Sequence, residues 1–131
     1  IYMERYCKDI KTESAAALSI AKTMILPAAY RYQGELASTA ASLKAALGRD
    51  SDIATLKTVT ELVGELEKTI ANLESVVANH PTGDLAAEAK HFQSVVIPAM
   101  NDVRTVADKL EGIVADDLWP LPTYREMLFI K

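Results

Sequence analysis

Apolar residues recur along most of the chain at alternating gaps of three and four, the spacing of one helix face. In the middle third the series is Leu56, Val59, Val63, Leu66, Ile70, Leu73 and Val77. In the last third it is Leu85, Ala89, Phe92, Val96, Ala99, Val103, Val106, Leu110 and Ile113. An earlier series runs Leu18, Ala21, Ile25, Ala28, Tyr32, Leu36, Thr39, Leu43, Leu47. A sustained 3.5-residue period places one seam on each helix and packs neighbours in a left-handed, coiled-coil-like manner.

The breakers between these series set the boundaries. The first long helix is expected from Glu13 to Leu47, with Thr12 as N-cap, a shorter helical lead-in before it and Gly48 as its stop. The second begins after Arg49-Asp50-Ser51-Asp52, capped by Ser51 or Asp52, and stops at Asn79-His80-Pro81-Thr82-Gly83. Asp84 caps the third. Short connections force neighbours antiparallel. The predicted fold is all-α: an up-down-up bundle of three long helices with a short helical C-terminal tail, forming one domain over residues 1–131.

Two prolines stand in matching contexts, Ile25-Leu26-Pro27-Ala28 and Val96-Ile97-Pro98-Ala99. Each removes a hydrogen bond to the carbonyl four residues back, at Thr23 and Ser94. Apolar periodicity continues across both, so kinks in the first and third helices are expected rather than helix ends. Counted from the loops, Pro98 falls level with Leu66, within a turn of Gly64, while Pro27 lies ~10 Å away. Gly64 is then either room for a close approach or simply exposed.

The C-terminal stretch from Leu118 to Lys131 breaks the pattern. It holds the only Trp, one of two Phe, and Pro120 and Pro122. Thr123-Tyr124-Arg125-Glu126 fits a capping box, so a helical turn from Tyr124 to Phe129 is expected. Pro120 and Pro122 keep the link before it extended. Trp119, Tyr124, Leu128 and Phe129 then share an apolar face that needs protein surface to cover, making residues 118–131 a docking tail. Asp116 and Asp117 are expected at the C-terminal end of the third helix, solvated or paired with Arg125.

Composition narrows the function classes. Half of the 131 residues are hydrophobic but only 6% are aromatic, the profile of close-packed helices with Ala at the contacts. A net charge of −4 argues against a nucleic-acid surface. No apolar run approaches the ~18 residues of a membrane span, and no signal peptide is visible. The single cysteine, Cys7, has no internal partner, so a reducing cytoplasm is the default. In its helical pattern Cys7 reads as a small, half-buried packing residue rather than a nucleophile.

Side-chain constellations for chemistry are sparse. Glu88-Ala89-Lys90-His91 has the Glu-x-x-His spacing of di-iron bundles, but a second such motif is missing and His80 falls in a loop. These side chains read as solvated surface groups. Glu61, Glu65, Glu67 and Glu74 lie among Lys57 and Lys68 as a solvated helix face. Tyr30, Arg31 and Tyr32 beside Pro27 read as core packing plus a surface Arg. The five glycines are isolated, so there is no phosphate-cradling loop.

The closing Trp119-Pro120-Leu121-Pro122-Thr123-Tyr124 with Leu128-Phe129 resembles the C-terminal end of type III glutamine synthetases. The resemblance extends to Ala107-Asp108-Lys109-Leu110-Glu111 and to Ile25-Leu26-Pro27-Ala28-Ala29. It implies the C-terminal helical domain of such an enzyme, with a structural or regulatory role. The ATP-, glutamate- and metal-binding residues would lie in an upstream catalytic core, and no stretch here matches them. No catalytic, cofactor or metal residue is therefore assigned to this chain; ATP and Mg²⁺ would serve the parent. The parent would join ammonia to glutamate, as a large cytoplasmic homo-oligomer. The partners implied are the catalytic core of the same or a neighbouring subunit. That the first residue is Ile1 rather than Met fits a piece of a longer protein. A free-standing helical interaction or adaptor module is the alternative, though it has no evident need for such a tail.

Overall fold

The computed structural model describes residues 1–50 and 53–122. Three helical runs account for nearly all of it, and no strand occurs among the described residues. The first run covers 2–47. It consists of α1 (Tyr2–Ile20), a five-residue π-helical stretch (Ala21–Ile25) and α2 (Leu26–Leu47). The second run is α3 (Ala54–Ala78). The third covers 85–111: α4 (Leu85–His91), a second π-helical stretch (Phe92–Val96) and α5 (Ile97–Glu111).

The stop signals behave as expected. Gly48 adopts φ 70°, a left-handed conformation open to Gly, and its N–H reaches the Lys44 carbonyl at 2.8 Å. Gly83 has φ 87° in the loop after α3. Asp84 caps α4, its Oδ1 accepting from the Ala86 N–H at 3.1 Å. The residue at the N-cap of α3 is Ile53; Ser51 and Asp52 lie outside the described residues.

Both prolines are accommodated in the same way. Neither ends its run. Proline cannot donate to the carbonyl four residues back, and the turn before it widens. The Leu26 N–H bonds the Ala21 carbonyl and the Ile97 N–H bonds the Phe92 carbonyl, each five residues back. A hydroxyl within each widened turn donates to the carbonyl four residues earlier: Thr23 to Ser19, and Ser94 to Lys90 at 2.7 Å. Such back-bonding accompanies distorted helix geometry.

One core joins the three runs. Val59, Leu66 and Leu73 of α3 meet Phe92 and Val96 of the second π stretch and Leu110 of α5, with Ile25 and Ala29 from the first run. Side-chain pairs tie the first run to the second in a fixed order. Lys22 meets Glu74, Tyr30 meets Glu67, and Gln33 meets Thr60, so numbers rise on one helix as they fall on the other.

Several sequence expectations are corrected. Thr12 caps nothing: the helix is continuous from Tyr2, and the Thr12 hydroxyl donates to the Lys8 carbonyl inside it. The buried face of α1 includes Cys7, Ile10 and Ser14, ahead of where the seam was expected to begin. Thr39 is exposed, and Leu47 is 57% exposed, so the expected seam is not covered to the end of α2. Leu62 is buried beside the expected seam of α3. A methyl at Gly64 would meet nothing within 4 Å, so that glycine makes no room for a close helix contact. Asp116 and Asp117 do not end the third run, which stops at Glu111; they open a separate 3₁₀ turn, Asp116–Leu118.

Candidate functional site

Trp119 is the described part of the expected docking face. It follows the 3₁₀ turn and folds back on the bundle, where it is 8% exposed. Its ring lies at a groove of about 330 Å³ between the first and third runs. Ala17, Ala21 and Ile25 form one side of that groove, and Met100, Val103 and Ala107 the other. Small residues at Ala17, Ala21 and Ala107 leave the trough that the indole enters. Arg104, Asp108 and Leu121 also line it. The Trp119 Nε1–H is enclosed yet has no hydrogen-bond partner among the described residues. Such a buried donor costs about 1–3 kcal/mol when left unmet. Tyr124, Leu128, Phe129 and the expected capping box at Thr123–Glu126 lie outside the described residues, as does Arg125.

A second cluster gathers around Phe92, where all three runs meet. Lys11 Nζ pairs with Glu88 Oε1 at 2.9 Å and lies 6.0 Å from the centre of the Phe92 ring. His80 stacks on Phe92 with ring centres 5.6 Å apart, and its Nδ1 lies 4.0 Å from Glu88 Oε1. His91 packs edge-on against the same ring. The His91 Nε2–H donates to the Val76 carbonyl at 2.8 Å; a carbonyl only accepts, so that nitrogen carries the proton.

These groups are not the solvated surface residues their positions in the sequence imply. Glu88 is only 13% exposed, and His91 reaches across to another helix. The one signal was the placement of both on the flank of the seam residue Phe92. Which helix end lies opposite could not be read from spacing. Their roles are structural pairing. Among the described residues no three His, Cys, Asp or Glu side chains are placed to hold a metal ion.

Cys7 is more deeply buried than expected, at 3% exposure. Burial pushes its thiol above the ordinary range, and the nearby Glu88 charge acts in the same direction, with Lys11 partly opposing. Such a thiol is inert rather than nucleophilic. Tyr30 is an exposed link, not core packing: its Oη donates to Glu67 Oε2 at 2.7 Å.

Residues 1–44 match the family model for the glutamine synthetase C-terminal domain. The whole chain is 33% identical to a type-3 glutamine synthetase of Dictyostelium discoideum. The match covers 19% of that protein's length. The chain is similar along its whole length to part of this glutamine synthetase. A glutamine synthetase of Bacteroides fragilis is 26% identical across the whole chain, and one of Butyrivibrio fibrisolvens 25% identical over 98% of it. Each match again covers 19% of the relative. The chain therefore spans about a fifth of the length of these relatives. No solved structure matches it significantly.

These similarities favour the first of the two sequence readings. The whole length aligns with part of a synthetase, so the resemblance seen in the closing motif extends through the helical runs. Among the described residues, no helix is long and apolar enough to cross a membrane.

Proposed function

We propose that this domain serves a type-3 glutamine synthetase as a structural and assembly element. The parent joins ammonia to glutamate with ATP. The domain packs on the catalytic core of the same or a neighbouring subunit of a cytoplasmic homo-oligomer. The observation that carries the reading is similarity, along this chain's whole length, to about a fifth of a synthetase, combined with side chains that are already committed to one another. Lys11, Glu88, His80 and His91 pair among themselves or with backbone and Phe92.

The ATP and Mg²⁺ of the parent reaction do not fit the residues described. Mg²⁺ is held by carboxylates and phosphate oxygens at near-octahedral geometry. Here the largely buried carboxylate of Glu88 faces a lysine and a histidine instead. No catalytic step is assigned to the domain.

The bundle is read as up-down-up, with bends at Pro27 and Pro98. The counter-running pairs Lys22–Glu74, Tyr30–Glu67 and Gln33–Thr60 support the first reversal. The Lys11–Glu88 pair supports a third run parallel to the first. Residues 1–131 act as one domain, and residues 118–131 act as its docking tail through Trp119, Tyr124, Leu128 and Phe129.

Calorimetric titration of the 131-residue chain with Mg·ATP tests the non-catalytic assignment. No saturable heat is expected. Saturable micromolar binding would place nucleotide chemistry in the domain and overturn it.

A further inference from the structure

We propose that the start of α1, with the hollow it forms against α4, is the face on which the preceding part of the synthetase chain docks. This rests on the reading above that the domain packs on a catalytic core, and it names the surface used. The first observation is a seam that runs past its cover. Met3, Cys7, Ile10 and Ser14 stand four, three and four residues apart, on one face of α1. Cys7, Ile10 and Ser14 are buried, but Met3 is 45% exposed. Beside it Tyr2, one turn ahead of the half-buried Tyr6, is 84% exposed. The second observation is shape. Tyr2, Met3 and Tyr6 of α1 and Ala86 and Ala89 of α4 line one hollow of about 380 Å³, together with Lys90 and Gln93. The two alanines leave room beside the larger side chains. Tyrosine and methionine are residue types enriched where protein surfaces meet, and uncovered apolar side chains that adjoin one another mark such places.

The occupant follows from position. The matching family model is of a C-terminal domain, and the match to the Dictyostelium relative covers 19% of that protein. On the proposed reading the rest of the synthetase chain precedes this domain and joins it beside Tyr2 and Met3. A segment tethered next to a fitting hollow meets it at high effective concentration, an advantage that a second copy or a separate protein lacks. The lining sets the chemistry of the segment. It brings apolar side chains to cover Tyr2 and Met3, and a carboxylate or carbonyl oxygen for the Lys90 ammonium.

The test uses the full-length synthetase. Hydroxyl-radical oxidation of Met3 is followed by peptide mass spectrometry in the native and the urea-unfolded enzyme. Native Met3 is expected to oxidise far more slowly than its 45% exposure in the domain alone allows. A native rate in proportion to that exposure shows the face uncovered and overturns the proposal. To identify the cover, Tyr2 is replaced by the photoreactive p-benzoylphenylalanine. Cross-links to peptides that precede this domain in the same chain are expected, and enzyme assembled from light and heavy subunits separates them from links between chains. Links between chains, or none to the preceding part, overturn the proposal. Failure of the wider assembly reading is distinguishable. If removing the domain shrinks the particle while Met3 is uncovered and Tyr2 makes no such link, this face is wrong and the assembly role stands. A covered Met3 and a link within the chain, in an enzyme whose particle mass survives removal of the domain, do the opposite.

Discussion

His91, on the third helical run, holds the carbonyl oxygen of Val76, in the last turn of α3, at 2.8 Å. The last carbonyls of a helix have no partner further along their own backbone. His91 therefore supplies a C-terminal cap from a neighbouring helix, and it does so with the ring wedged against Phe92. Replacing His91 with Ala is expected to cost about 1–3 kcal/mol, the price of leaving a partly buried acceptor unmet. Lys90→Ala, at an exposed neighbour, is expected to change stability by less than about 0.5 kcal/mol. Urea denaturation of the two variants checks the contrast, and equal effects would contradict the capping role.

Leu66 is fully buried at the centre of α3 and meets residues from both other runs. Leu66→Ala is expected to destabilise by about 2–5 kcal/mol. Leu47→Ala, at the exposed end of α2, is expected to stay within about 0.5 kcal/mol. A Leu66 cost as small as the Leu47 cost would place the seam of α3 on the wrong face.

Tyr30 gives a pH dependence whose sign is fixed. Its hydrogen bond to Glu67, then partial desolvation and the Glu67 charge, hold the phenol above its ordinary value. The fold thus favours the protonated phenol. Its stabilisation is complete below the ordinary tyrosine value of about 10 and is lost as pH rises through the higher folded value. Stability curves of the parent chain and Tyr30→Phe should approach each other in that alkaline window. Curves that stay parallel through it would contradict the link.

The buried, charge-opposed Cys7 thiol predicts slow chemistry. A thiol reagent at pH 8 should label the native chain far more slowly than the urea-unfolded chain, because the reactive thiolate is both scarce and enclosed. Equal labelling rates would show that the first turns of α1 open freely.

Much of the fold was legible because burial in helices follows a short repeat. Val59, Val63, Leu66, Ile70 and Leu73 were all placed on the correct face of α3, as were Phe92, Val96, Ala99, Val103, Val106 and Leu110 on the third run. The proline contexts pointed to kinks inside continuous runs; both runs do continue through their prolines, with a π-helical turn before each. The failures arise where local signals compete with length and neighbours. Thr12 has the chemistry of a cap, yet a hydroxyl inside a helix can bond the carbonyl four residues back just as well. Thr39 and Leu47 continue the period of the first run, but a period cannot show where a partner helix ends. The same limit hid the site around Phe92. Nothing in the spacing of Glu88 and His91 shows that Lys11 and the end of α3 lie across from them. Of the expected docking face, only Trp119 falls within the described residues, and it is buried on its own bundle.

The most direct test of the assembly role removes Leu118–Lys131 from the full-length synthetase. Particle mass by light scattering, synthetase activity and melting temperature are then compared with those of the intact enzyme. The expected result is a smaller assembly or a lower melting temperature, with activity falling alongside. If mass, activity and melting temperature are all unchanged, the tail is dispensable and the assembly role assigned to it is wrong.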